Sequence, residues 1–385
     1  LASVLRQERR SGPLSQFELG RKEGFELGWD HGYWIGKCEA ARQRIVRSPS
    51  PRAEHVMFVA TGKGFPYSPL DEAVTTTLRM MFNRLTITNT LQPVETLAKE
   101  VRPDLVLVLD GLQFNTDMID GIRQAGIRTA IWFTDDPYYS DITSLLAPHY
   151  DYVFTLEKNC IDFYRKKGCE RVYYLPLGTH LDQFRPSNPI RSFRRDISFV
   201  GTGYWHRIDF FNQTTSYFAE RDIRISGIWW DRLRDYKKLA PKIELGKWMG
   251  PEDTASTYSA SKIVINMHRS HDDDTFNNNS IGLTAVSPNP RTFEISSCAA
   301  LQITDVRDDI ARFYTPDVEI VTYASPQEMI DKIEYYLHHE EERRSIAMRG
   351  YYRTLRDHTY GNRLEHLFAI VFDGQQIDYS HPGVQ

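Results

Sequence analysis

The sequence predicts an α/β protein made of two successive parallel-sheet units facing a central cleft, with an N-terminal helical arm and C-terminal helices. Three observations carry that prediction. Short continuous apolar runs alternate with helical segments, the pattern of strands covered on both faces. The rhythm stops at a connection rich in Pro and Arg, residues 179–195, and then starts again. And 385 residues exceed what one ordinary core organises. The expected boundaries are 1–50 for the arm, 51–185 and 186–358 for the two units, and 359–385 for a last helix and tail.

Composition narrows the classes of function. Hydrophobic residues at 41% and charged residues at 25% are ordinary for a soluble globular chain. A net charge of -4 offers no basic excess for generic nucleic-acid binding. Cys38, Cys160, Cys169 and Cys298 are scattered without metal-type pairing, which suits reduced thiols in a cytoplasmic protein. The chain lacks the run of about eighteen apolar residues that a membrane span needs.

In the arm, Gly20, Gly24, Gly28, Gly32 and Gly36 recur every four residues among Phe17, Phe25, Trp29, Tyr33 and Trp34. On a helix this makes one nearly side-chain-free stripe bordered by aromatics. Interior glycines cost about 1 kcal/mol each relative to Ala, so such a helix needs compensation from close packing. The arm is expected to pack on another subunit, giving a homo-oligomer, or on the body of its own chain.

The first unit opens with the apolar run 55–60, followed by the turn Thr61-Gly62-Lys63-Gly64. Residues 69–85 read as a helix, with Leu70, Val74, Leu78 and Met81 on one side. Runs at 105–109, 129–133, 152–156 and 172–175 read as further strands. The third of these five runs ends in Thr134-Asp135-Asp136-Pro137. Ligands of such sheets bind beyond the carboxyl ends of the strands, which is where Gly62, Gly64 and the two aspartates fall.

In the second unit, strand 197–200 ends in Gly201-Thr202-Gly203, a helix follows to Phe218, and strand 223–225 runs into Gly227-Ile228-Trp229-Trp230. An extended segment leads to Lys247-Trp248-Met249-Gly250, and a helix over 251–260 precedes strand 263–266. The polar stretch 268–280 reads as a mobile loop. Pro288-Asn289-Pro290 then starts a helix at Arg291-Thr292-Phe293-Glu294, whose free N–H groups and positive dipole end suit a phosphate. Glu294 in its first turn can accept hydrogen bonds from sugar hydroxyls, or simply complement the dipole. Residues 301–304 and 319–321 read as the last strands, and 326–339, 341–355 and 362–372 as helices.

These residues resemble a known family. Asn289-x-Arg291-x-Phe293-Glu294 with Cys298-Ala299-Ala300, Asp305 and the Phe313/Glu319-Ile320 segment look like the group-one glycosyltransferase superfamily, which has the GT-B fold of two Rossmann-like domains. Leu177-Gly178-Thr179-His180-x-Asp182-x-Phe184-Arg185-Pro186 and Trp132-Phe133-Thr134-Asp135-Asp136-Pro137 resemble its spore-maturation CgeB-like branch. The resemblance covers most of residues 55–372. It implies a nucleotide-diphosphate sugar donor, UDP-sugar favoured, held by the second domain without an essential metal or other cofactor. Glu294 would bind the ribose, and Arg291, Thr292 and Phe293 would bring the helix N-terminus to the diphosphate. Asn289, in the same motif, would be a further donor-binding residue, Gly201 and Thr202 let the backbone approach a phosphate, and Arg207 and His268 are further partners for it. Trp229 or the Trp248-Met249 segment frames the base, unless those rings are core. Many relatives carry a second glutamate eight residues before the ribose-binding one; here that position is Val286, which leaves stereochemistry open.

Glycosyl transfer also needs leaving-group stabilisation and a base for the acceptor. Asp135 and Asp136 are the candidates, their other reading being a turn or a helix cap. Lys63, between Gly62 and Gly64, is a candidate diphosphate contact across the cleft. The cluster His268, His271, Asp272, Asp273 and Asp274 imitates a metal-binding pattern, but reads better as a solvated loop. A catalytically silent sugar-nucleotide or glycan-binding assembly protein and a nucleotide-sugar epimerase are the alternatives to transfer. The acceptor, whether protein, polysaccharide or small molecule, is not legible.

Overall fold

The computed structural model describes residues 16–189, 191–273 and 275–375. Residues 1–15 of the expected arm, Asp274 of the acidic pattern and residues 376–385 of the expected tail lie outside the described residues. The chain divides into two compact units, Leu1–Arg44 and Ile45–Gln385. In the first, α1 (Gln16–Ile45) is a single helix despite its glycines. A methyl group added at any of the five would touch nothing, and Phe17, Phe25, Trp29 and Tyr33 are exposed.

The second unit holds both sheets. β1 (Arg52–Ala60), α2 (Ser68–Met81), β2 (Phe82–Asn89), α3 (Val94–Val101), β3 (Leu105–Leu109), α4 (Thr116–Gln124), β4 (Arg128–Trp132), α5 (Ser140–Leu146), β5 (Tyr152–Thr155), α6 (Cys160–Lys166) and β6 (Val172–Tyr174) come first. Their strands form a parallel sheet of order β2-β1-β3-β4-β5-β6. Alternate residues of the apolar runs serve opposite faces. Val56, Phe58, Leu105, Leu107 and Leu109 pack on one side, Met57, Val59, Val106 and Val108 on the other.

The second sheet follows with β7 (Arg195–Val200), α7 (Trp205–Ala219), β8 (Ile223–Gly227), α8 (Tyr236–Leu239), β9 (Ile243–Leu245), α9 (Pro251–Ser259), β10 (Ser261–Asn266), α10 (Pro290–Ser297), β11 (Leu301–Asp305) and β12 (Val321–Tyr323). Its parallel order is β12-β11-β10-β7-β8-β9. α11 (Pro326–His338), α12 (Glu340–Asp357) and α13 (Tyr360–Asp373) end the described chain. α13 returns to the first sheet, where Leu364, Leu367, Phe368 and Val371 join the face that carries Val56 and Leu107. The two chain crossings between the sheets lie side by side: Thr179 N–H donates to the His358 carbonyl at 3.0 Å, and Tyr360 N–H to the Thr179 carbonyl at 3.2 Å. Gly178 makes this possible, since a Cβ there would sit 2.8 Å from the carbonyl carbon of Thr359.

Three expectations change. The helix read over 69–85 ends at Met81, and Phe82–Asn89 is an edge strand on β1. Thr86, Ile87 and Thr88 are β-branched, and the open edge of β1 outweighs the helical periodicity. The strand read at 319–321 starts two residues later, because Glu319 turns back to accept from Thr315 N–H at 2.8 Å. The stretch read as a mobile loop at 268–280 is docked on the first domain: Asn278 N–H donates to the Tyr138 carbonyl at 2.8 Å, and Asp141 N–H to the Asn278 carbonyl at 2.9 Å. Further along that connection, Glu157 Oε2 accepts the N–H groups of Val286 and Ser287, both at 3.1 Å.

Phe368 stacks edge-on to Phe82 at 4.7 Å and is fully buried. Its replacement by Ala is expected to cost about 3–5 kcal/mol. An unchanged urea midpoint would show that α13 is not part of the first core.

Candidate active site

In each sheet the strand order reverses at an inner strand, between β1 and β3 and between β7 and β10. A crevice opens there beyond the carboxyl ends of the strands. Residues 61–64 and Asp110 stand at the first crevice, 201–203 and His268 at the second.

The second-domain half is built around arginine. Arg207, 2% exposed, donates from Nη1 to the Thr202 carbonyl at 2.9 Å and from Nη2 to the Met267 carbonyl at 2.5 Å. A Cβ added at Gly201 would lie 3.1 Å from Arg207 Nη1 and 3.3 Å from Arg291 Nη2, so both guanidiniums crowd one small hollow that only glycine leaves open. Burial, and then the charge of Arg291, push Arg207 down to about 9. Neither arginine has an ion pair among the described residues. Two more guanidiniums lie close by. Arg269 donates to the Phe276 carbonyl at 2.7 Å and lies over the Tyr138 ring at 4.5 Å. Arg307 donates to the carbonyls of Ala285 and Arg269 and lies 3.5 Å from Asp305.

Asp305 also accepts from His268, at 2.6 Å from Nδ1 and 3.0 Å from the backbone N–H. Burial works against its charge, yet the imidazole and Arg307 hold Asp305 well below the usual carboxylate range. Burial in turn pushes His268 down, and its Nε2 is buried with no hydrogen-bond partner.

α10 is pinned before it can act. Asn289 caps it by accepting from Thr292 N–H at 3.0 Å, and donates to Asn266 Oδ1 on β10 at 2.9 Å. Pro290 has no N–H, so the first-turn donor left over is that of Arg291, not the row of free donors the sequence suggested. Thr292 and Phe293 are fully buried and contribute scaffold. Glu294 is half-buried, its carboxylate has no hydrogen-bond partner among the described residues, and it lines a cavity of about 310 Å³. Burial pushes its carboxyl up to about 7, against the pull of Arg291. Met249 and the Tyr258 side chain, whose hydroxyl is buried without a partner, line the same cavity. Trp229 does not: its ring is stacked on Phe276 at 4.3 Å and covered by Arg232 at 4.4 Å.

Across the cleft, Asp135 is half-buried and accepts from the Tyr67 hydroxyl at 3.1 Å. Burial first, then the charge of Asp110, raise its pKa, with Arg269 and Lys63 opposing. Asp136 is different: at 1% exposure it is enclosed by the hydroxyls of Thr155 (2.6 Å), Tyr164 (2.7 Å) and Thr143 (3.4 Å). It braces the motif from inside. Lys63 is paired with Asp110 at 2.5 Å and lies over the Tyr67 ring at 4.3 Å, while Gly62 and Gly64 give its loop positive φ. Its ammonium serves the Asp110–Asp135 carboxylate cluster as the protein stands. Tyr67, Asp110, Tyr258 and Arg307 had no signal of their own in the sequence beyond Asp110 ending a strand. Among the described residues no group of three or more His, Cys, Asp or Glu has the arrangement of a metal site.

Residues 207–369 match the glycosyl transferase-like family. Over 318 residues the chain is 26% identical to spore protein CgeB of Bacillus subtilis (strain 168), covering 82% of this chain and 98% of that one. Solved structures of the same fold include HepE of Anabaena in complex with UDP and glucose, with a TM-score of 0.57 at 10% identity over 84% of this chain and 100% of that one. Sucrose-phosphate synthase of Thermosynechococcus elongatus gives a TM-score of 0.54 at 12% identity, again over 84% and 100%. No helix among the described residues is long and apolar enough to cross a membrane.

Because the folded protein raises Glu294 from 4.5 to about 7, the stability this group contributes is complete below pH 4.5 and lost as pH rises through about 7. Glu294→Gln is therefore expected to raise the melting temperature of the free protein at pH 8. The same change should remove the added stabilisation from a nucleoside diphosphate. Parallel losses of both would show a merely structural carboxylate.

Proposed function

We propose that this CgeB-like chain, a glycosyltransferase of the GT-B fold, moves a hexosyl group from a nucleoside-diphosphate sugar to the hydroxyl of an acceptor. One observation carries the reading: Arg207 and Arg291 converge beside Gly201 without a carboxylate partner, one helical turn from an unsatisfied Glu294. A diphosphate fits the guanidiniums bidentately, and ribose hydroxyls fit the carboxylate. UDP is the favoured base carrier, since HepE, with the same fold, has been solved with UDP and with UDP-glucose.

In the transfer, the bond from the anomeric carbon to the β-phosphate oxygen breaks, its electron pair leaving with the diphosphate. The acceptor oxygen bonds to that carbon, and Asp135 takes its proton. The arginines meet the charge that grows on the leaving group, so the reaction runs without a resident metal. Because ionised Glu294 is the stronger acceptor for ribose hydroxyls, donor affinity falls as pH drops through about 7. The protein works in the cytoplasm, and the open glycine face of α1 serves a second copy of the chain. A chain beginning at residue 46 should then show monomer mass in light scattering; unchanged mass counts against that role.

The decisive experiment incubates the protein with UDP-sugars, with EDTA and without acceptor. Slow release of free sugar and UDP is expected, and Asp135→Asn should lower it about 10²–10⁴-fold while UDP still raises the melting temperature. Reversible epimerisation of the donor would instead identify an epimerase, and binding without turnover an assembly protein.

A further inference from the structure

The cavity that holds Glu294 has a wall the second domain does not supply. Phe65, Pro66, Pro69, Leu70 and Ala73 of the first domain face it opposite Met249, Pro251 and Glu294. With a diphosphate at Arg207 and Arg291 and its ribose at Glu294, the base would fall in the remaining space between these side chains, with His180 and Gln183 also lining it.

At its edge two aromatic rings meet. Phe65 and Trp248 lie edge to face with centroids 6.1 Å apart at 78°. Both are nonetheless about half exposed, at 49% and 47%. Large aromatic rings left open beside a cavity mark a surface for an apolar ligand. Each is carried by a loop punctuated with glycine: Phe65 follows Gly64 (φ +70°), and Trp248 stands between Gly246 (φ +73°) and Gly250. A Cβ at Gly64, Gly246 or Gly250 would meet no other atom, so neither loop is held by packing there.

We propose that Phe65 is a donor-binding residue, closing on the nucleobase from the first domain while Trp248 covers it from the second. The base is thus held by an aromatic clamp made of both domains, and departure of the spent nucleotide requires the two rings to part. A flat heteroaromatic ring gains a face from each partner, and their present edge-to-face contact is loose enough to be replaced. This inference rests on reading the cavity as a nucleoside-diphosphate site.

The test compares UDP with inorganic pyrophosphate by calorimetry, and UDP release by stopped-flow tryptophan fluorescence, on the full chain. Wild type should bind both, with UDP changing the emission; Trp248→Phe should lose that change while still binding. Phe65→Ala should weaken UDP about 5- to 150-fold through faster release, the worth of one base stack. It should leave pyrophosphate unchanged, and Phe65→Tyr should restore UDP where Phe65→Leu does not. Equal UDP affinity and release in wild type and Phe65→Ala overturns the clamp alone. If wild type binds neither UDP nor pyrophosphate, the site reading itself is wrong and the clamp goes with it.

Discussion

A guanidinium buried between the ends of β7 and β10 is the constraint from which the second domain is best understood. Taking such a charge out of water costs several kcal/mol unless something compensates. Arg207 is compensated by the carbonyls of Thr202 and Met267 rather than by a carboxylate. Carbonyl dipoles take up Nη1 and Nη2 but leave Nε buried without a partner and the net charge uncancelled, and Arg291 adds a second charge beside it. Much nearby architecture keeps this arrangement from relaxing. Asn266, Asn289 and Thr292 lock α10 to β10 so that Arg291 cannot swing away. Asp305, the acid whose charge acts on Arg207, is occupied by His268 and Arg307. What remains is a positive hollow whose natural complement is an anion from outside the protein.

The same connection that carries His268 and Arg269 also reaches the first domain. It leaves β10 at residue 268, docks on Tyr138, Ser140 and Asp141 just beyond Asp135, and returns to α10. The two sides of the cleft are thereby linked by one stretch of backbone. Glu157 completes the link. Val286 gives its backbone N–H to this carboxylate from the other domain. Burial raises the pKa of Glu157, and the backbone N–H groups of Asn159, Ser287 and Val286 oppose that rise.

The two-sheet architecture was legible because buried parallel strands are written as unbroken apolar runs, as in Leu105–Leu109, and because turn glycines mark their ends. β2 was not legible, since an edge strand needs only one covered face and its Phe82–Asn89 pattern continues the helical spacing before it. At the site, Glu294 and Arg291 could be singled out because the cap Asn289-Pro290 announces a helix start. For Asp135 and Asp136 the alternation of an extended chain suggested that only one reaches the cleft; the fold shows Asp135 there and Asp136 enclosed by hydroxyls. The sequence offered Trp229 or the Trp248-Met249 segment for the base, or core packing for the rings; the fold packs Trp229 against Phe276 and Arg232 and puts Met249 at the cavity. Tyr67 and Arg307 act through neighbours distant in the chain, which no local pattern records.

α13 belongs to the first sheet by packing and to the last part of the described chain by position. The first domain is synthesised early yet lacks Leu364, Leu367 and Phe368 until the ribosome has read through the whole second domain. Its core therefore closes last. A nascent first domain has an apolar sheet face waiting for its cover, and the second domain, whose core draws on residues up to Ala347, is complete before it. Assembly of the cleft is thus ordered by translation: the arginine-rich half is finished first, and the half that bears Asp135 is sealed by α13.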